Sequence, residues 1–118
     1  MEIRGQLVSR SGGGIPARLV GNEVAQAYYR VALERLGEIA EDPNDRDLAA
    51  DIALMIDQST RSHVVVDWRQ KQDVLNQMRA DIDDGFFALS QQGRVRLDWG
   101  VLDEIAAEAD RIARSRLP

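Results

Sequence analysis

The densest group of acidic side chains in the sequence is Asp81-Ile82-Asp83-Asp84. Paired carboxylates can bind Mg²⁺ or act as general acid and base. A nuclease site of this kind also needs a lysine and carboxylates contributed by separate elements. Lys71, the only lysine, lies on the same predicted helix, roughly 15 Å away along its axis. We therefore interpret the carboxylates as a solvated helix face rather than a metal site.

Three other features could take part in chemistry, and each has a simpler structural explanation. The glycines at 12–14 are followed by Ile15-Pro16 and not by the Lys-Ser or Lys-Thr of a phosphate-binding loop. His63 has no fixed ligand or nucleophile partner in the pattern, which favours a surface or helix-end histidine. Tyr28 suits core packing better than base stacking, because single-strand binders combine aromatic residues with a cationic groove.

Composition restricts the class of protein further. The chain has 118 residues, no cysteine and one histidine, which excludes a disulfide framework, thiol catalysis and multi-histidine metal sites. The net charge is −5, and Arg4, Arg10 and Arg18 make the first 21 residues locally basic, so the remainder is distinctly acidic. This balance argues against direct binding of duplex DNA, where neutralising phosphates drives affinity. Without a membrane span or signal peptide in the pattern, we expect a cytoplasmic protein.

The hydrophobic periodicity predicts an all-α fold, a small bundle of about four helices. Residues 1–20, rich in serine and glycine, are predicted to be a flexible N-terminal segment, and residues 21–118 a single helical domain. Apolar side chains recur at helical spacing over residues 22–41, 45–61, 67–89 and 98–116. Asn22 is the expected N-cap of the first helix, and Asp67 and Asp98 those of the third and fourth, with Gln70 completing a capping box behind Asp67.

Two further expectations concern packing. The three β-branched residues at 64–66 disfavour helix and predict a short, buried, extended connector rather than a sheet. Trp68 is expected to lie in the core, whereas Trp99 suits a core or an interface equally well.

One ordered set of motifs resembles a known family. It comprises residues 21–29 (GNEVAQAYY), 51–57 (DIALMID) and 66–84 (VDWRQKQDVLNQMRADIDD). This succession is similar to the C-terminal helical region of the restriction (R) subunit of type I restriction–modification enzymes. The resemblance covers about residue 16 to the end, and its most specific part lies on the third predicted helix. Gly85 departs from the pattern, because it follows the acidic motif where the helix should be continuous.

The resemblance implies a function that the residues alone do not. In the family, the R subunit carries nuclease and ATP-driven translocase domains, and its helical C-terminal region docks onto the methyltransferase core. This chain would then be a non-catalytic module that needs no cofactor, while ATP and Mg²⁺ would bind the other domains of its parent, an ATP-dependent site-specific deoxyribonuclease. The implied partners are the methyltransferase and specificity subunits, or the R subunit's own motor domains. The candidate interface or motif residues are Asp67, Trp68, Lys71, Val74, Met78, Arg79, Asp81, Asp83 and Asp84.

Two alternatives remain open at this point. The chain could contact nucleic acid directly through arginine-rich sites such as Arg69, Arg79 and the group Arg111, Arg114 and Arg116. It could also be an unrelated regulatory helical protein that shares the pattern.

Overall fold

The computed structural model describes residues 15–118, which form an all-α fold of four helices. The helices are α1 (Glu23–Arg35), α2 (Arg46–Arg61), α3 (Gln72–Gln91) and α4 (Trp99–Arg116). Short 3-10 turns occupy Ala17–Leu19, Leu36–Glu38 and Trp68–Gln70. Within these described residues there is no strand, so the predicted all-α class is confirmed. None of these helices is both long and apolar enough to cross a lipid bilayer.

The predicted flexible segment, residues 1–20, lies mostly outside the described residues. Its last six residues are described, and two of their side chains contact the main core. Leu19 is completely buried, and Ile15 packs against the main core. The 3-10 turn that carries Leu19 is also tied to α2, because Arg18 forms ion pairs with Asp47 and Asp51.

Side-chain caps begin three of the four helices. Asn22 Oδ1 accepts a hydrogen bond from the backbone N of Ala25 at 3.0 Å, which confirms the predicted cap of α1. Asp45 and Asp98 cap α2 and α4 in the same way. A cap of this type contributes about 1 kcal/mol, since it satisfies a backbone N–H that has no partner within the helix.

The predicted cap of the third helix is wrong. Asp67 has a φ of 60° and its side chain makes no capping hydrogen bond, so there is no capping box with Gln70. A 3-10 turn follows Asp67, and α3 begins only at Gln72. The cause lies in the backbone: Trp68 N donates to Val65 O at 3.1 Å, which closes a reverse turn before the helix starts.

The first helix also ends before its predicted position, whereas α3 ends close to the predicted end around Leu89. α1 ends at Arg35 rather than near Glu41, and the chain continues as a 3-10 turn that contains Gly37. Glycine favours the end of an α-helix because its helix propensity is lower than that of most other residues. α3 runs unbroken through Gly85 to Gln91. Gly85 lies where α3 approaches α2, and a Cβ built on it would lie 2.4 Å from Met55 Cγ.

The main core lies between the four helices. α1 packs closely against α2 and α4, α2 packs against α3, and α3 and α4 have the least extensive contact of these neighbouring pairs. Tyr28 is completely buried at the centre, where its hydroxyl lies 3.3 Å from Thr60 Oγ1. Burial raises the pKa of Tyr28, and the hydrogen bond to Thr60 acts in the opposite direction without cancelling this effect.

A smaller second cluster joins the start of α3 to the end of α4. It consists of Trp68, Met78, Ala113 and Leu117, with Val24, Val64, Val74 and Leu75 packed around it. Trp68 is only 1% exposed, so its predicted place in the core is confirmed, although the core it occupies is this separate one. Trp99 is 43% exposed and faces outward.

Candidate docking surface

The most exposed apolar side chains in the described residues include two neighbours in the turn before α3. Val66 is 81% exposed and Val65 is 49% exposed. We call residues 65–68 the valine turn. The prediction of a buried connector at residues 64–66 is therefore wrong for Val65 and Val66, whereas Val64 is half-buried against the second cluster. The two central residues of a reverse turn project away from the chain they reverse, which explains the exposure of Val66 and Asp67.

The valine turn is held firmly although its valines face solvent. The Trp68 Nε1–H donates to the backbone O of Pro118 at 2.7 Å, and the indole ring is buried behind the turn. Arg69 Nε donates to the backbone O of Arg114 at 2.7 Å, and the Arg69 guanidinium lies 4.9 Å from the centre of the Trp68 ring. Arg69 also donates to the backbone O of Leu117. These contacts fix the turn to the end of α4.

The backbone at Asp67 completes this turn. A residue in the third position of a turn closed from Val65 to Trp68 requires a positive φ if the turn is of type II. Asp67 is the only non-glycine residue with positive φ in the described part of the chain. Aspartate tolerates this conformation better than most residues, but at a cost of about 1 kcal/mol. The hydrogen bond and burial that anchor Trp68 hold Asp67 in this conformation despite its cost.

The nine candidate residues do not form a single patch. Two of them, Trp68 and Met78, are buried in the second cluster and support the surface from beneath instead of contributing to it. Val74 is half-buried against the same cluster. Asp67 and Lys71 are exposed beside the valines, whereas Asp84 is exposed farther along α3.

The remaining candidates pair with neighbouring charges. Arg79 Nε lies 3.2 Å from Asp83 Oδ1, and the same guanidinium also pairs with Asp103 of α4. His63 Nε2 lies 2.6 Å from Asp81 Oδ2, which connects the end of α2 to the middle of α3. Among the described residues no group of three or more histidine, cysteine or acidic side chains is arranged to hold a metal ion.

The arginines proposed for nucleic-acid contact are largely engaged elsewhere. Arg111 pairs with Glu108, and Arg114 Nε lies 2.9 Å from Asp110 Oδ2. Arg69 is occupied by backbone carbonyls at the end of α4. Carboxylates beside most of these guanidinium groups offset the positive potential that would attract phosphates.

One charged network was not anticipated from the sequence. Asp51 on α2 accepts from Arg94 Nη1 at 2.7 Å and also pairs with Arg18. Partial burial favours the neutral form of Asp51, but the hydrogen bonds and charges of Arg94 and Arg18 outweigh it, so the pKa of Asp51 is lowered. No spacing in the sequence could have indicated this network, because its three members come from separate segments.

Comparison with known proteins adds no family to this picture. No family model matches the chain, and no curated protein or solved structure matches it.

Proposed function

We propose that this chain is a non-catalytic docking module of a type I restriction R subunit, and that the valine turn is its contact with the methyltransferase core. The observation that carries the proposal is the exposure of Val65 and Val66 on a turn whose backbone is fixed by Trp68 and Arg69. An anchored apolar surface loses little conformational freedom on binding, so more of its burial energy is available as affinity. The resemblance of residues 66–84 to the R subunit supplies the identity of the partner.

The motif residues have two different roles in this proposal. Trp68 and Met78 shape the turn from beneath, while Asp67 and Lys71 provide a charged rim around the valines. An apolar centre within a polar rim is typical of protein–protein interfaces. The chain contributes no catalytic group, and ATP and Mg²⁺ act in other domains of the parent subunit, in the cytoplasm where foreign DNA is restricted.

Direct contact with nucleic acid is the less well supported alternative. Four of the five arginines proposed for it, Arg69, Arg79, Arg111 and Arg114, already have carboxylate or carbonyl partners. The acidic balance of the chain opposes such contact as well. An unrelated regulatory role would also use an apolar surface, so only the partner distinguishes it from the leading proposal.

The test is co-purification of the chain with a methyltransferase–specificity complex, using Val66→Asp and a matched control. Val20→Asp is that control, because Val20 is also an exposed valine, at 72%, and lies outside the valine turn. We expect Val66→Asp to abolish retention and Val20→Asp to preserve it, with both variants showing unchanged helicity by circular dichroism. Retention of both variants, or of neither, would refute the assignment of the surface. Binding to the motor domains alone would identify those domains, and not the methyltransferase core, as the partner.

A further inference from the structure

The chain leaves α4 at Leu117 and continues in an extended conformation. Leu117 has a φ of −85° and a ψ of 144°, and its backbone N–H donates to the backbone O of Ala113 at 2.9 Å. Although Leu117 lies outside the helix, its side chain is only 2% exposed and packs in the second cluster with Trp68 and Met78. The residues that end α4 are therefore anchored beneath the valine turn. We call residues 114–118 the latch.

Two adjacent side chains, Trp68 and Arg69, connect the valine turn to the latch. Arg69 donates to the backbone O atoms of three latch residues, Arg114, Leu117 and Pro118. The Trp68 indole N–H donates to the same backbone O of Pro118. The last carbonyls of a helix have no partner within the helix and carry partial negative charge, and a guanidinium supplies both donors and positive charge there. The turn and the latch therefore stabilise each other.

The latch and the valine turn are set apart from the main core. Their apolar contacts belong to the second cluster, and among the described residues only Val24 packs against both clusters. Segments with few buried apolar contacts open locally at a lower free energy than the whole domain unfolds. Opening would also release Asp67 from its positive φ, which a non-glycine residue adopts at a cost. Local opening of these two segments, with the four helices still packed, is therefore favoured over separate unfolding of the core.

We propose that the latch and the valine turn open and close as one unit, and that the closed unit is the form that docks. Closure holds Val65 and Val66 on a fixed backbone, whereas opening frees that backbone and uncovers the Trp68 ring. A partner that binds only the closed form has an apparent affinity that falls with the closed fraction. The latch therefore sets how much of the chain is ready to dock. The docking consequence rests on the proposed function, whereas the opening is a property of the free chain.

The test is native-state hydrogen exchange, followed by NMR on the free, full chain. The backbone N–H of Leu117, which is bonded to Ala113, reports on the latch. The backbone N–H of Trp68, which is bonded to Val65, reports on the turn. We expect these two groups to exchange with the same free energy of opening, and Ile52, completely buried in α2, to exchange with a higher one.

Arg69→Gln removes the guanidinium that joins the two segments. We expect exchange at Leu117 and Trp68 to accelerate by the same factor, at least about tenfold, because hydrogen bonds from a charged donor are lost. Arg30→Gln is the matched control, since Arg30 is exposed on α1 and has no ion pair within the described part of the chain. It should change neither rate.

A core substitution separates local opening from unfolding of the whole domain. Ile56→Val shortens a completely buried side chain of the main core, so it should accelerate exchange at Ile52 severalfold and leave Leu117 and Trp68 unchanged. Equal acceleration at all three sites would mean that the latch and the turn open only when the domain unfolds, which overturns the proposal. Unequal free energies of opening at Leu117 and Trp68 in the wild type would overturn it as well, and this comparison needs no Arg69 variant to fold.

Docking is measured separately, by retention of the same variants on the methyltransferase–specificity complex. We expect Arg69→Gln to be retained less than Arg30→Gln. Equal retention of the two variants, together with accelerated exchange in Arg69→Gln, would overturn the link between closure and docking. If the wild type itself is not retained, the proposed function fails, while the exchange rates still decide whether the latch and the turn open together.

Discussion

Met55 of α2 packs directly against the backbone of Gly85 in the middle of α3. A Cβ built on Gly85 would lie 2.4 Å from both Cγ and Sδ of Met55, closer than two side chains can approach. The glycine that follows the acidic motif is therefore a point of close approach between α2 and α3.

This contact predicts that Gly85→Ala changes the free energy of unfolding in opposite directions in the wild type and in a Met55→Ala background. In an open helix, glycine to alanine stabilises by about 1 kcal/mol. Here Gly85→Ala is expected to lower the free energy of unfolding by about 1 kcal/mol, since Met55 must leave its position. In a Met55→Ala background, the same substitution should stabilise the fold. Urea unfolding of the four variants of this double-mutant cycle measures the coupling, and additive effects would contradict the packing described here.

Tyr29 and Tyr28 are adjacent buried tyrosines with opposite hydrogen-bonding states. The Tyr29 hydroxyl is buried without a partner among the described residues, whereas the Tyr28 hydroxyl contacts Thr60. Tyr29→Phe is expected to raise the free energy of unfolding by about 1 kcal/mol, because it removes a desolvated hydroxyl. Tyr28→Phe should lower it by a similar amount, since it leaves Thr60 with one contact fewer. Chemical denaturation compares the two, and a loss of stability in Tyr29→Phe would indicate a hydrogen bond to the Tyr29 hydroxyl.

The decrease in the free energy of unfolding at acid pH should depend on Asp51. Its pKa is lower in the folded chain than in the unfolded chain, so its contribution is present above the unfolded value of about 3.9 and is lost as the pH falls through the folded value. Asp51→Asn is expected to cost about 1 kcal/mol at neutral pH. The difference from the wild type should shrink as the pH falls below about 4.

Asp84→Asn provides the control for this titration, because Asp84 is exposed and has no ion pair in the described structure. Unfolding curves of Asp84→Asn and the wild type should differ little at any pH. A constant difference between Asp51→Asn and the wild type across the acid range would show that the network of Asp51 with Arg94 and Arg18 does not act through charge.

The conformation of Asp67 gives a prediction for the valine turn. Glycine adopts a positive φ without steric cost, so Asp67→Gly should preserve or slightly raise stability, whereas Asp67→Ala should lower it by about 1 kcal/mol. Thermal unfolding measures both. Greater stability of the alanine variant would mean that residue 67 does not hold the left-handed conformation.

The sequence pattern predicted the helices well because their determinants are local. Apolar spacing and the caps Asn22 and Asp98 depend on residues within one or two turns, and the structure confirms them. The predicted start of α3 was wrong because Asp67 resembles an N-cap in the sequence. A turn stands where the cap was predicted, and only the hydrogen bond from Trp68 to the distant Pro118 reveals that turn. Val65 and Val66 were wrongly predicted to be buried, because β-branched residues favour extended structure but do not indicate which side of the chain faces solvent.

The candidate surface was therefore only partly predictable. The candidate residues Trp68 and Lys71 lie in or beside the valine turn, whereas Val65 and Val66, which the turn exposes, were not among the candidates.

We propose that this chain docks where an R subunit docks, and competition tests this proposal most directly. A methyltransferase–specificity complex carrying a labelled, intact R subunit would be titrated with the chain, and displacement followed by fluorescence anisotropy. We expect saturable displacement by the wild type and by Val20→Asp, and none by a folded Val66→Asp variant. A folded wild-type chain that fails to displace the R subunit at saturating concentration would contradict the claim.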